Sequence, residues 1–254
     1  MVDEQWANEL AKQLALEAQR IWKLKGMPKK INKAITEAYA LKFMAGVQEG
    51  FGIDFSNIDY NTPDGIMLNN LATNVYQFSA AKNYTQLRQL TQALLDEAGK
   101  LRTWSQFKKE AFAITEAHSI TWLKTEYDTS IASAQMARKW VEIEANQSTL
   151  KLLQFDAVLD TRTSDTCRPL DGVTKPFDDP FWNVYYPPNH FKCRSSVKQL
   201  RSGKITPTND IVYPDKGIPA MFQTNLAKSG LIFPPSHPYW DGVPEQILKD
   251  AESL

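Results

Sequence analysis

The side chains best equipped for chemistry fall between Asp160 and Arg194. Cys167, His190 and Cys193 are ligand types that suit zinc, and the two-residue gap between His190 and Cys193 lets a single turn aim both at one ion. Structural zinc sites normally close with four protein ligands, so a fourth would have to come from Asp165, His237 or water. The same residues have a plainer reading: two small buried thiols and a histidine that pins its loop by hydrogen-bonding a backbone carbonyl. Two cysteines in 254 residues do not make a disulfide framework. The expectation is of no cofactor, with a zinc ion on Cys167, His190 and Cys193 as the alternative.

A catalytic reading also starts from these residues. Nucleases that cleave RNA without metal use histidine as general acid or base, with arginine or lysine beside the scissile phosphate; His190, Arg162, Lys192 and Arg194 are the types required. The chain holds only three histidines, His118, His190 and His237, each on a different expected element, and nothing in the spacing pairs them. No Gly-x-Gly-x-x-Gly, no phosphate-binding Gly-Lys-Ser/Thr loop, no Gly-x-Ser-x-Gly and no His-Glu-x-x-His occurs. Arg162 is expected to fork onto Asp171 or Asp179 and hold loops together. The aromatic run Phe177, Phe181, Trp182, Tyr185 and Tyr186 is expected to pack a small core rather than to stack on bases or sugars.

Several elements must position these groups. Leu10, Leu14, Ala18 and Ile21 recur at helical spacing until Gly26 and Pro28. A second helix follows from an Asn32 cap through Ile35, Tyr39, Phe43 and Val47, ending at Gly50-Phe51-Gly52. Thr62-Pro63 opens a third, with Leu68, Leu71, Val75 and Phe78 on one face, and Tyr84 to Leu95 reads as a fourth. Thr103-Trp104-Ser105-Gln106 fits a capping box and starts a long helix. Its stripe runs Phe107, Ile114, Ile120, Leu123, Tyr127, Ile131, Ala134 and Val141, with a break expected near His118-Ser119. Around Asn146 to Leu150 the period changes, and Leu153, Phe155, Ala157 and Leu159 alternate as in a half-buried strand. Asp171-Gly172 signals a tight turn, Ser195 to Leu200 a further short strand, and the prolines between Pro207 and Pro244 mark loops. The fold class expected is α+β: a helical N-terminal domain over 1–148, then a small C-terminal domain of short strands and long loops over 149–254.

In order along the chain, Asp160-Thr161-Arg162, Cys167, Leu170-Asp171-Gly172, Asp178-Asp179-Pro180-Phe181-Trp182, Pro187-Pro188-Asn189-His190 and Cys193-Arg194 resemble the signature of Mu F-like phage head morphogenesis proteins. The resemblance reaches upstream through Lys124 to Met136 and downstream through Asn225, Gly230, Phe233 and His237-Pro238-Tyr239. Ser164 and Ser195 stand where the family's cysteine-rich variants have cysteine, which weakens a metal site. The resemblance implies a minor capsid protein of a tailed phage or prophage, structural rather than enzymatic. It would associate with the portal protein and the major capsid protein during head assembly and DNA packaging or ejection. The motif residues Asp160, Arg162, Cys167, Asp171, Gly172, Asp179, Trp182, Pro187, Pro188, His190, Cys193 and Arg194 would then hold the fold, with residues 1–148 as the partner surface.

Charge and hydropathy agree with that expectation. Lys and Arg number 29 and Asp and Glu 29, whereas a protein that grips duplex DNA along its backbone carries a basic excess; contact with DNA inside the head would be secondary. The basic runs Lys23/Lys25/Lys29/Lys30/Lys33 and Lys192/Arg194/Lys198/Arg201/Lys204 read as solvated faces. No apolar run is long enough to span a membrane and the first ten residues are acidic and polar, so the expected location is the host cytoplasm and then the virion head.

Overall fold

The computed structural model describes residues 4–53 and 55–252. Helix α1 (Glu4–Leu24) buries Leu10, Leu14, Ala18 and Ile21. Helix α2 (Lys33–Phe51) begins where Asn32 Oδ1 accepts the Ile35 N–H, satisfying one of the unpaired donors of the first turn. Helix α3 (Pro63–Gln92) begins where Thr62 Oγ1 accepts the Gly65 N–H.

This third helix is continuous for 30 residues, which corrects the expectation of a separate fourth helix from Tyr84. No Gly or Pro interrupts 79–83, and the polar residues that spoil the apolar period there are buried and bonded. Ser79 Oγ donates to Val75 O, Lys82 Nζ donates to both carboxylate oxygens of Glu126, and Asn83 Oδ1 accepts the Asn32 N–H. Polarity there reflects a buried network, not a chain break.

Helix α4 (Trp104–Glu116) opens with the expected capping box: Thr103 accepts the Gln106 N–H while Gln106 accepts the Thr103 N–H. The expected break appears as one π turn at Ala117–Thr121 before helix α5 (Trp122–Asn146). A π turn holds one extra residue, which rotates the following face by about 100°. His118 and Ser119 are therefore buried, while Ile120, placed in the stripe by a strict helical period, is 60% exposed.

Three short strands follow, β1 (Leu152–Asp156), β2 (Thr174–Pro176) and β3 (Ser196–Leu200). They form one antiparallel sheet in the order β2-β1-β3, with Leu153 opposite Lys175 on one side and Gln199 on the other. Central strand β1 buries Leu152, Leu153 and Phe155; Leu159, expected to continue the alternation, lies beyond its end and is exposed. Helix α6 (Phe181–Tyr185) and helix α7 (Glu245–Ala251) are short, and the stretch from 207 to 244 holds only isolated helical turns.

Chain compactness divides the protein into two units, one of Met1–Phe43, Val75–Tyr127 and Pro238–Leu254, the other of Met44–Asn74 and Asp128–His237. In the first, Ala18, Ile21, Leu87, Leu90, Leu94, Phe107 and Ala111 form a core on which Trp22 stacks, 5.3 Å from Phe107; each such large side chain contributes about 1.5–3 kcal/mol on burial. The second holds the sheet. There Trp140 packs edge-on against Tyr186, whose hydroxyl donates to Met136 O, and buried Asn74 accepts the N–H groups of Ile232 and Phe233.

Candidate metal centre and motif clamp

Two segments of the second unit carry the motif. The first leaves β1 and returns to the sheet through Asp171 and Gly172. Asp171 Oδ1 accepts the Ala157 N–H, and Gly172 adopts φ +77°, a left-handed conformation that glycine enters without steric cost. Within this segment Ser164 Oγ accepts the Cys167 N–H, which curls the chain so that Cys167 points inward and is buried. The second segment begins at α6, where Asp179 Oδ1 accepts the Phe181 N–H and Trp182 Nε1 donates to Pro176 O. It passes the buried Pro187 and Pro188 and tightens at His190, whose carbonyl accepts the Cys193 N–H. Lys192 has φ +60°, rare for a residue with a side chain, and this lets the chain turn sharply between His190 and Cys193.

The two segments meet at three ligand atoms. Cys167 Sγ lies 3.7 Å from Cys193 Sγ and 3.4 Å from His190 Nε2, and all three atoms fall within 4.8 Å of one another. Ser164 Oγ lies 2.8 Å from the same Nε2. His190 Nδ1 lies 2.8 Å from Phe191 O; a carbonyl only accepts, so Nδ1 carries a proton and Nε2 faces the thiols. Cys193 is pushed down: the Cys167 thiol donates to it, and the backbone N–H groups of Asn189 and Ser195 add to this against the cost of burial. Cys167 is pushed up by that same hydrogen bond and by burial. His190 is raised, first by its hydrogen bond with Cys167.

An ion-pair clamp closes the first segment. Arg194 donates to both oxygens of Asp160, at 2.9 and 2.6 Å. That bidentate pair, with the Arg162 N–H on Oδ1, holds the Asp160 carboxyl well below the usual carboxylate range. Arg168 Nη2 donates to Asp160 O. This corrects the expected role of Arg162, which is 77% exposed and reaches only Asp160, at 3.8 Å, rather than Asp171 or Asp179. The forked contact belongs to Arg194, because the turn after Cys193 aims it back at Asp160.

Other expectations resolve by position. Among the described residues neither Asp165 nor His237 joins the cluster of Cys167, His190 and Cys193. Phe181, Trp182 and Tyr186 are buried, with Phe177 and Tyr185 half-buried, as the core reading of the aromatic run requires. The lysines and arginines of both basic runs are exposed. Ser164, expected only as a missing cysteine, hydrogen-bonds within the cluster, its Oγ 2.8 Å from His190 Nε2. The signal for Ser164 is local, since a serine three residues before Cys167 can accept its backbone N–H.

Residues 79–198 match the family described as Phage Mu protein F like protein. Over 83 residues the chain is 29% identical to protein F of Escherichia phage Mu, a protein named for capsid assembly; the aligned part covers 33% of this chain and 19% of that one. Over 121 residues it is 29% identical to the Mu-like prophage FluMu F protein of Haemophilus influenzae, covering 48% of this chain and 29% of the relative. The chain thus spans less than a third of the length of either relative. No solved structure matches.

Proposed function

We propose, for a chain that is Mu F-like across residues 79–198, that it is a minor capsid protein of a tailed phage or prophage. In this reading it joins the portal and major capsid proteins as heads assemble, and serves in DNA packaging or ejection. The observation that carries the reading is that the matched stretch contains both halves of the motif cluster, from Asp160 to Arg194. Residues 1–148 would form the partner surface. In support, the helices there leave large apolar side chains in solvent, including Leu16, Leu24, Leu41 and Phe112, the last 69% exposed.

No chemical step is assigned to the motif. A scissile phosphate would have to compete with Asp160 for Arg194, and among the described residues no second histidine enters the His190 cluster. The balanced net charge and the pairing of Arg194 and Lys198 with carboxylates give packaged DNA little to grip beyond scattered lysines. No helix among the described residues is long and apolar enough to cross a membrane, and the proposed location is the host cytoplasm during assembly and the head thereafter.

The test is a pull-down of the tagged chain from cells expressing the neighbouring head genes, with bound proteins identified by mass spectrometry. Portal or major capsid protein is expected in stoichiometric excess over controls. Recovery of neither from cells that assemble heads, together with ribonuclease activity that His190→Ala abolishes, would replace this reading with the nuclease one.

A further inference from the structure

We propose that Cys167, His190 and Cys193 bind one zinc ion through their two thiolates and His190 Nε2, with a water held by Ser164 in the fourth position. The inference is independent of the head-assembly reading.

Distances carry it first. With Zn–S near 2.3 Å and Zn–N near 2.05 Å, tetrahedral geometry sets the S···S edge at about 3.8 Å and the S···N edge at about 3.6 Å. The protein holds the two sulfurs 3.7 Å apart and Cys167 Sγ 3.4 Å from Nε2. Two of the three edges thus match the tetrahedral values to within about 0.2 Å, and the third, from Cys193 Sγ to Nε2, is within 4.8 Å.

The surroundings carry it further. Metal-bound histidine almost always donates its other ring N–H to a carbonyl or carboxylate, which fixes the ring and makes the ligating nitrogen more basic; His190 Nδ1 does this with Phe191 O. The turn that delivers His190 and Cys193 is closed by a Cys193 N–H to His190 O bond and by the left-handed Lys192. Ser164, Cys167, His190 and Ser195 line a small opening beside the three ligand atoms. Binding would release to solvent any proton on the two thiols and on Nε2. The ion would staple the segment after β1 to the segment before β3, two stretches also joined by the Ser164–His190 contact and the Asp160–Arg194 pair.

The full chain, purified without a chelating tag from zinc-supplemented cells under reducing conditions, is analysed for metal by mass spectrometry. One zinc per chain is expected, with most of it lost in both Cys167→Ser and Cys193→Ser. Cobalt added to the metal-stripped wild-type chain should give the intense visible bands of four-coordinate cobalt with a thiolate charge-transfer band, a readout that needs no variant to fold. Ser164→Ala should weaken zinc affinity by about tenfold, as loss of a supporting hydrogen bond does. Wild-type chain that takes up neither zinc nor cobalt overturns the proposal, as does zinc that persists undiminished in Cys193→Ser.

Discussion

A carboxylate that already accepts two guanidinium bonds has little left to offer a ligand, and Asp160 is held in that state by Arg194. Its carboxyl is depressed from an ordinary value near 3.8, so the stability it contributes is present above that pH and is lost as pH falls through the folded-state value. Arg194→Lys keeps the charge but not the fork. That variant should therefore lose stability at neutral pH and lose less of what remains as the pH is lowered; a pH dependence of urea unfolding unchanged from wild type would mean the pair is ornamental. His118 makes a second pH-dependent term. Burial, and then the charge of Lys82, push its pKa from 6.5 to about 2, and its Nε2 bonds Gln89 Oε1 at 2.8 Å. The unfolded chain takes up this proton below 6.5 and the folded one does not, so stability should fall with pH from there by up to about 1.4 kcal/mol per unit. Urea titrations at pH 7 and pH 5 should show the loss, and His118→Gln should flatten it. At this scale the cluster was legible as residue types: Cys167, His190 and Cys193 were singled out together, and the fold brings them together. Which arginine meets Asp160 was not legible, because it depends on the direction of one turn at Lys192.

Elements are set by a few close approaches. On α2, a Cβ at Gly50 would lie 2.2 Å from Ile131 O, a backbone atom that cannot step aside without moving α5. Gly50→Ala should cost about 1–3 kcal/mol by overpacking, read as a lower denaturant midpoint with an unchanged slope; a neutral result would show that the two backbones are not held this close. In α3 the buried Lys82 is neutralised by Glu126 at 2.7 Å. Glu126→Gln leaves an uncompensated buried charge and should destabilise by about 3–5 kcal/mol, whereas replacing both partners with apolar residues should restore most of the loss. A double variant no better than the single one would refute that account. Helix starts were readable because caps are local chemistry: Asn32, Thr62 and Thr103 each do what their side chains allow. The continuity of α3 and the phase shift after the π turn were not readable, since both arise from partners distant in sequence, Glu126 for Lys82 and Gln89 for His118.

For the whole molecule, composition and period were enough to foresee helices first and a small sheet after Asn146. The compact units were beyond reach of pattern alone. Each gathers segments from separated parts of the chain, as when Asn74 binds the backbone of Ile232 and Phe233. The central proposal is that this chain, which matches the Mu F-like family over residues 79–198, builds heads. The most direct measurement is to delete its gene from an inducible phage or prophage, then count particles by electron microscopy and assay purified wild-type heads for the chain by mass spectrometry. The account predicts a few copies per wild-type head, with aberrant or DNA-empty heads in the deletion, rescued by the wild-type gene. Normal, infectious, filled heads in the deletion, together with no trace of the chain in wild-type particles, would contradict it.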